Sequence, residues 1–223
     1  MPIFKTKNEN FFKNWGSDMA YVLGFIIADG CVIKNKRGAC FLEISSIDKE
    51  IIYKIKKALF TNLAIGINKS KNENYSRRYR LQIGSKKIFK NLLNLGIYPR
   101  KSKTIKLPVL PDKYFSHFLR GYFDGDGCVN ICKFKRKDRK SFSYVLTSVF
   151  TSGSRNILVE IKNKLQELEV IKGGSFFYNQ GYRLSFSIND SLGLYGFMYR
   201  NLKNNLYLNR KKSVFEKYLT SRK

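Results

Sequence analysis

Acidic residues are scarce in this chain: 16 Asp and Glu stand against 43 Lys and Arg in 223 residues, a formal net charge of +27. A surface this basic excludes cationic partners and calls for a polyanion, with nucleic acid the first candidate and an anionic membrane the second. Histidine is almost absent. His117, the only one, is expected on a helix surface rather than in catalysis. The four cysteines, Cys31, Cys40, Cys128 and Cys132, form no CxxC pair, so they read as reduced, small, half-buried residues and not as a zinc set. Long hydrophobic runs are missing too. The Met19–Ala28 run is too short to span a bilayer, and the polar, charged N-terminus carries no secretory signal, so no membrane association is expected. Of only four prolines, Pro108 and Pro111 mark a linker.

What the chain does have is enough apolar material for a packed core, 43% hydrophobic and 15% aromatic, and one stretch written twice. Tyr21–Val32 reads YVLGFIIADGCV and Phe118–Val129 reads FLRGYFDGDGCV. Each copy predicts an apolar helix with a carboxylate, Asp29 or Asp126, in its last turn and a glycine after it. In the first copy Ser17 or Asp18 is placed to cap the helix start, and Gly30 to end it in the left-handed conformation. A helix C-terminus carries partial negative charge, so an exposed Asp there is disfavoured by about 0.3–1 kcal/mol. Two such residues at matching positions point to a cation.

Apolar periodicity gives the order of elements. After the first motif helix come a hairpin (32–36 and 40–46), a helix from Asp48 to about Phe60, a second hairpin (64–68 and 78–83) and a short helix closed by Gly96. Leu42 and Ile44 face one way, with Phe41, Glu43 and Ser45 on the other side. The second half repeats this: a helix over 112–125, strands 129–135 and 143–151, a helix over 154–168, strands 175–178 and 182–188, a helix from Asp190 to about Leu202, and a basic helical tail. Ile55–Leu59 parallels Ile161–Leu165, and Tyr79-Arg80-Leu81 parallels Tyr182-Arg183-Leu184. Lys101-Ser102 likewise parallels Lys212-Ser213. The expected fold is α+β: two tandem αββαββα units related by a pseudo-two-fold axis, each with a four-stranded antiparallel sheet, packed through the two motif helices. Domains are expected at 17–102 and 112–223, joined by a linker at 103–111, and the chain is expected to act as a monomer, a fused pseudo-dimer.

Gly24 and Ala28, and likewise Gly121 and Gly125, put small residues on one helix face, where another backbone can approach closely. If the two helices pack side by side, Asp29 and Asp126 arrive at the same end. Paired carboxylates repel unless a cation joins them, and Mg²⁺ suits few carboxylates plus waters and phosphate oxygens.

At these residues the chain resembles the LAGLIDADG homing endonucleases in their double-motif, single-chain form. Val22–Gly30, VLGFIIADG, and Leu119–Gly127, LRGYFDGDG, fill the nine motif positions. The family's active-site acid corresponds to Asp29 and Asp126. Its earlier motif Asp position holds Ile27 in one copy and Asp124 in the other, and Arg120 fills a usually small position, assigned here to a face away from the helix contact. The resemblance implies Mg²⁺-dependent hydrolysis of both strands of a long double-stranded DNA site, leaving short 3′ overhangs, with Mn²⁺ or Ca²⁺ as alternative occupants of the metal sites. The basic-pocket lysine falls on Lys101 and Lys212, with Lys211 the neighbouring candidate, and Glu43 is placed to orient the attacking water. Glu43 aligns with Val149, so the two half-sites are expected to differ. An RNA-binding intron maturase, or a regulator that binds DNA without cutting it, is the alternative on the same fold.

Each sheet is expected to enter the major groove of DNA. Outward positions are Arg78, Arg80 and Gln82 in the first half, and Asn130, Arg183, Ser185 and Ser187 in the second. Lys34, Lys36 and Arg37, with Lys69 and Lys71, and Lys133, Lys135, Arg136, Lys137, Arg139 and Lys140 are expected to meet phosphates.

Overall fold

A computed structural model describes residues 5–68, 77–135 and 142–221. The chain packs into two compact units. The first gathers the residues up to Lys101 with Pro108–Gly125 and Lys203–Leu206; the second gathers Ser102–Leu107, Asp126–Leu202 and the chain from Tyr207 on.

In the first unit, α1 (Ser17–Asp29) runs directly into β1 (Gly30–Lys34), which pairs antiparallel with β2 (Cys40–Ser46). Next come α2 (Lys49–Ala58), β3 (Gly66–Asn68), β4 (Arg78–Gly84) and α3 (Lys86–Asn94). The antiparallel sheet has the order β1-β2-β4-β3. Alternation decides its faces. Val32, Leu42, Ile44, Leu81 and Ile83 are buried beneath Ile51, Ile52 and Ile55 of α2 and Ile88, Phe89 and Leu92 of α3, each such side chain contributing roughly 1.5–3 kcal/mol. Phe41, Glu43 and Ser45 alternate with them and stay partly exposed. Gly96, at φ +83°, closes α3: its N–H donates to Leu93 O and that of Ile97 to Leu92 O, the expected left-handed stop.

Gly30 departs from expectation. Its φ of −108° and ψ of 162° are extended, and its N–H donates to Ile26 O. Glycine is required there by space: a Cβ would lie 2.8 Å from Ile26 Cα. The helix therefore passes into the strand with no intervening turn, which fixes Asp29 at the junction.

The second unit continues from α4 (Phe115–Asp126), whose residues up to Gly125 pack in the first unit. Its sheet has the order β5-β6-β8-β7, from Gly127–Lys135, Phe142–Ser152, Tyr182–Phe186 and Ser175–Tyr178 respectively. The helices are α5 (Arg155–Glu167), α6 (Ile188–Tyr199) and α7 (Asn209–Thr220). Leu146, Phe150, Leu184 and Phe186 form the inner face under Ile157, Ile161 and Leu165. The strand ends at Phe186, so Ser187 is the N-cap residue of α6 and not a strand position. The helix accordingly starts before Asp190, whose carboxylate accepts from the backbone N–H groups of Lys172 and Gly173. The whole is an α+β fold with two four-stranded antiparallel sheets and, among the described residues, seven α-helices. No described helix is long and apolar enough to cross a membrane.

Candidate active site

Each unit carries one helix-to-strand junction, at the end of α1 in the first and at the end of α4 in the second. Helix α1 is buried along Met19–Ile27, as a helix apolar on every side must be. One of its faces meets α4 inside the first unit. A Cβ on Gly24 would fall 2.1 Å from Phe118 O, one on Gly121 2.0 Å from Tyr21 O, and one on Gly125 2.4 Å from Ala28 Cβ and 3.5 Å from Asp29 N. Only glycine lets the two backbones come this close. Asp126 is the residue after Gly125.

Polar groups tie this contact together. Tyr21 donates its hydroxyl to Asp124 Oδ2 at 2.6 Å, and its ring carries the Arg120 guanidinium 5.5 Å away. Arg120 is thus not on a face turned from the helix contact. It is 0% exposed, donating to Leu206 O at 2.9 Å and Asn204 Oδ1 at 3.1 Å, while Asn204 donates to Asp18 at 2.6 Å. His117 is not a surface residue either. It is 3% exposed with Nδ1 3.0 Å from Arg120 Nη2. Burial, then the charges of Arg120 and Lys203, lower its pKa to about 4, so it is neutral near pH 7.

Asp29 and Asp126 are both partly exposed, each ending its helix immediately before the glycine that opens a strand. Two buried lysines accompany them. Lys101, 6% exposed, donates to Gly30 O at 2.7 Å. In the second unit Lys211, 5% exposed, donates to Gly127 O at 2.6 Å. The counterpart of Lys101 is therefore Lys211 and not Lys212. Lys212 turns away to an ion pair with Glu216 at 2.9 Å, over the Tyr207 ring; the hydrogen bond to Glu216 raises its pKa. The spacing carried a signal for this: Lys211, Phe215 and Tyr218 share one buried face of α7, whereas Lys212 and Glu216 are a partly exposed i, i+4 pair.

Glu43 lies on the outer face of the first sheet, paired with Cys31 on one side and Gln82 on the other. Gln82 Nε2 donates to its carboxylate at 3.1 Å and Arg80 Nη1 stands 3.5 Å from the same oxygen. Arg78 and Gln82 are exposed. In the second sheet Val149 takes the matching place, paired with Cys128 and Ser185. Asn130 is exposed, its Nδ2 3.2 Å from Cys128 Sγ, and Arg183 lies 5.9 Å from the Phe177 ring centroid. Lys133 and Lys135 share the strand face of Val129, and Lys133 sits 4.0 Å from the Phe142 ring centroid. Lys34, Lys36 and Arg37 are exposed around a turn closed by Gly38 at φ +79°. Lys69, Lys71, Arg136, Lys137, Arg139 and Lys140 lie outside the described residues. The cysteines are free, as expected, but Cys31, Cys128 and Cys132 are exposed rather than half-buried, because they fall on the outer faces of β1 and β5.

Residues 17–103 match the LAGLIDADG-like domain. Over 115 residues the chain is 31% identical to the DNA-directed RNA polymerase subunit Rpo1C of Methanocaldococcus jannaschii, a match covering 51% of this chain but only 13% of that protein. Among solved structures, the homing endonuclease I-WcaI bound to its DNA recognition sequence superposes with a TM-score of 0.60 at 19% identity, over 93% of this chain and 91% of that one. I-SmaMI bound to an uncleaved DNA target in the presence of calcium ions gives a TM-score of 0.59 at 15% identity, over 93% and 90%. Duplicated helix-to-strand junctions, two four-stranded sheets and the match at 17–103 lead to one assignment: residues 17–103 carry a LAGLIDADG-like domain, and the chain has an α+β fold similar to that of the two solved homing endonucleases.

Proposed function

We propose that this protein is a site-specific endonuclease that cleaves both strands of a long double-stranded DNA target by divalent-metal-dependent phosphodiester hydrolysis, leaving short 3′ overhangs. The observation that carries the reading is the duplicated junction, Asp29-Gly30 with Lys101 and Asp126-Gly127 with Lys211. In each, a partly exposed carboxylate ends a helix, and a buried ammonium is anchored on the next residue's carbonyl. A helix C-terminus carries partial negative charge and disfavours a carboxylate, so the arrangement favours a cation.

The donor set fits a hard divalent ion. Asp29 and Asp126 offer carboxylate oxygens only, which suits Mg²⁺ with water and phosphate oxygens completing its shell, and Mn²⁺ or Ca²⁺ as substitutes. Such an ion, when bound, supplies Lewis-acid activation of the phosphate and of the attacking water. The chain's own part is to hold the two carboxylates at rigid helix ends and to keep a positive charge on Lys101 and Lys211, where it counters charge developing on the phosphate. Arg78, Arg80, Gln82, Asn130, Arg183 and Ser185 are the base-facing candidates on the sheets, and Lys34, Lys36 and Arg37 the phosphate contacts. The DNA-bound state of the structurally similar proteins supports the same partner for this chain.

The test is incubation with a library of duplex targets and Mg²⁺, beside Asp29→Asn. The expected result is cleavage of some targets by the parent protein and none by the variant. No cut target at all, or equal cutting by Asp29→Asn, would overturn the reading.

A further inference from the structure

We propose that Glu43 sets sequence specificity by fixing the presentation of Gln82 and Arg80. This rests on the reading that the outer sheet faces meet DNA bases.

A carboxylate has only acceptors. The end of the Gln82 amide 3.1 Å from Glu43 Oε2 must therefore be its NH₂, and the amide cannot turn over without setting Oε1 against an anion. Gln82 is exposed, so Oε1 and the second N–H of the same group remain for a base edge. That donor–acceptor pair matches adenine N6 and N7. Arg80 Nη1, 3.5 Å from the same carboxylate oxygen, is drawn to one side, and its other N–H groups remain for guanine O6 and N7. One carboxylate thus pre-orders two flexible readers on β4 before DNA arrives, which lowers the entropy of ordering them on binding.

The second sheet lacks this device. Val149 stands where Glu43 does and pairs with Ser185 in place of Gln82. Arg183, opposite Phe177, leans on that ring, and its buried Nε finds no hydrogen-bond partner among the described residues. Its half-site is therefore read with less orientational control, and the target should be strict on the Glu43 side and permissive on the other.

The experiment is binding selection from a randomised duplex library, performed with the unmodified protein, E43Q and the double variant E43Q/Q82E, with thermal unfolding of each. In E43Q a neutral amide at position 43 meets either end of Gln82, and the preference at one base pair should fall about tenfold, the scale of a lost bidentate contact, with neighbouring positions intact. The exchange E43Q/Q82E restores one amide–carboxylate bond but presents a carboxylate from position 82. It should move the preference at that pair from adenine towards cytosine, whose N4 donates. Unchanged profiles in both variants, or a uniform loss at all positions in folded protein, would overturn the proposal, as would lost cleavage with an intact profile. If the unmodified protein itself enriches no sequence, it is the DNA reading that fails.

Discussion

A single helical step separates Lys211 from Lys212, and it decides which ammonium reaches the helix-to-strand junction. Position 211 is in phase with Phe215 and Tyr218, so its side chain is carried inward to Gly127 O, while 212 is carried outward to Glu216. Under the proposed chemistry, Lys211→Ala and Lys101→Ala should each slow cleavage by about a hundredfold or more with little loss of DNA affinity. Lys212→Ala should change the rate by less than about threefold, the scale of an exposed ion pair. Single-turnover rates against titrated binding separate these cases. His117 makes a different prediction. Its folded pKa of about 4 lies below the ordinary 6.5, so between those values only the unfolded chain takes up the proton. Stability is complete above about pH 6.5 and declines as pH falls toward 4, by about 3 kcal/mol in all. His117→Asn keeps an acceptor for Arg120 and should flatten this slope. Denaturant midpoints of both proteins at about pH 7 and 4.5 measure the difference. Nothing in local sequence distinguishes this histidine from a surface one. It contacts Arg120 and feels the charge of Lys203; the one is polar and the other remote in sequence, so neither marks the histidine as buried.

At the scale of elements, the strands and helices were legible because each face obeys one period: β2 and β4 alternate, and α2 and α5 place isoleucines at helical spacing. The glycines of the motif helices were legible in the same way, as small residues four apart, but the reason for Gly30 was not. It stands at a helix end, where a left-handed stop is the usual expectation, and only the nearness of Ile26 Cα explains it. Close backbone approach predicts opposite outcomes for two alanine substitutions. Gly24→Ala places a methyl 2.1 Å from the Phe118 carbonyl oxygen, a backbone atom that cannot turn aside, and should cost about 1–3 kcal/mol or more. Gly196→Ala, inside α6 with nothing within 4 Å, should be neutral or stabilise by about 0.5–1 kcal/mol. Urea midpoints at equal m-values test the pair.

Over the whole molecule, under the proposed function the net charge of +27 predicts steep salt dependence of DNA binding. With some six to ten phosphate contacts, affinity should fall roughly a thousandfold or more between about 50 and 200 mM salt, read by fluorescence anisotropy. Charge replacement at Lys34, Lys36 and Arg37 should flatten the slope without altering base preference. The division into units has a separate consequence. The first unit is completed by α4 and by Lys203–Leu206, which Arg120 holds through Leu206 O and Asn204. What is repeated along the chain and what closes a core are therefore two different partitions of the same residues. A gene fragment ending near Lys101 would carry one full copy of the repeat and still lack the surface that covers Tyr21 and Gly24. Such a fragment should emerge as an associating or insoluble species, seeking a helix to occupy that groove. Splitting this protein into exchangeable halves would therefore require each half to bring its own lid.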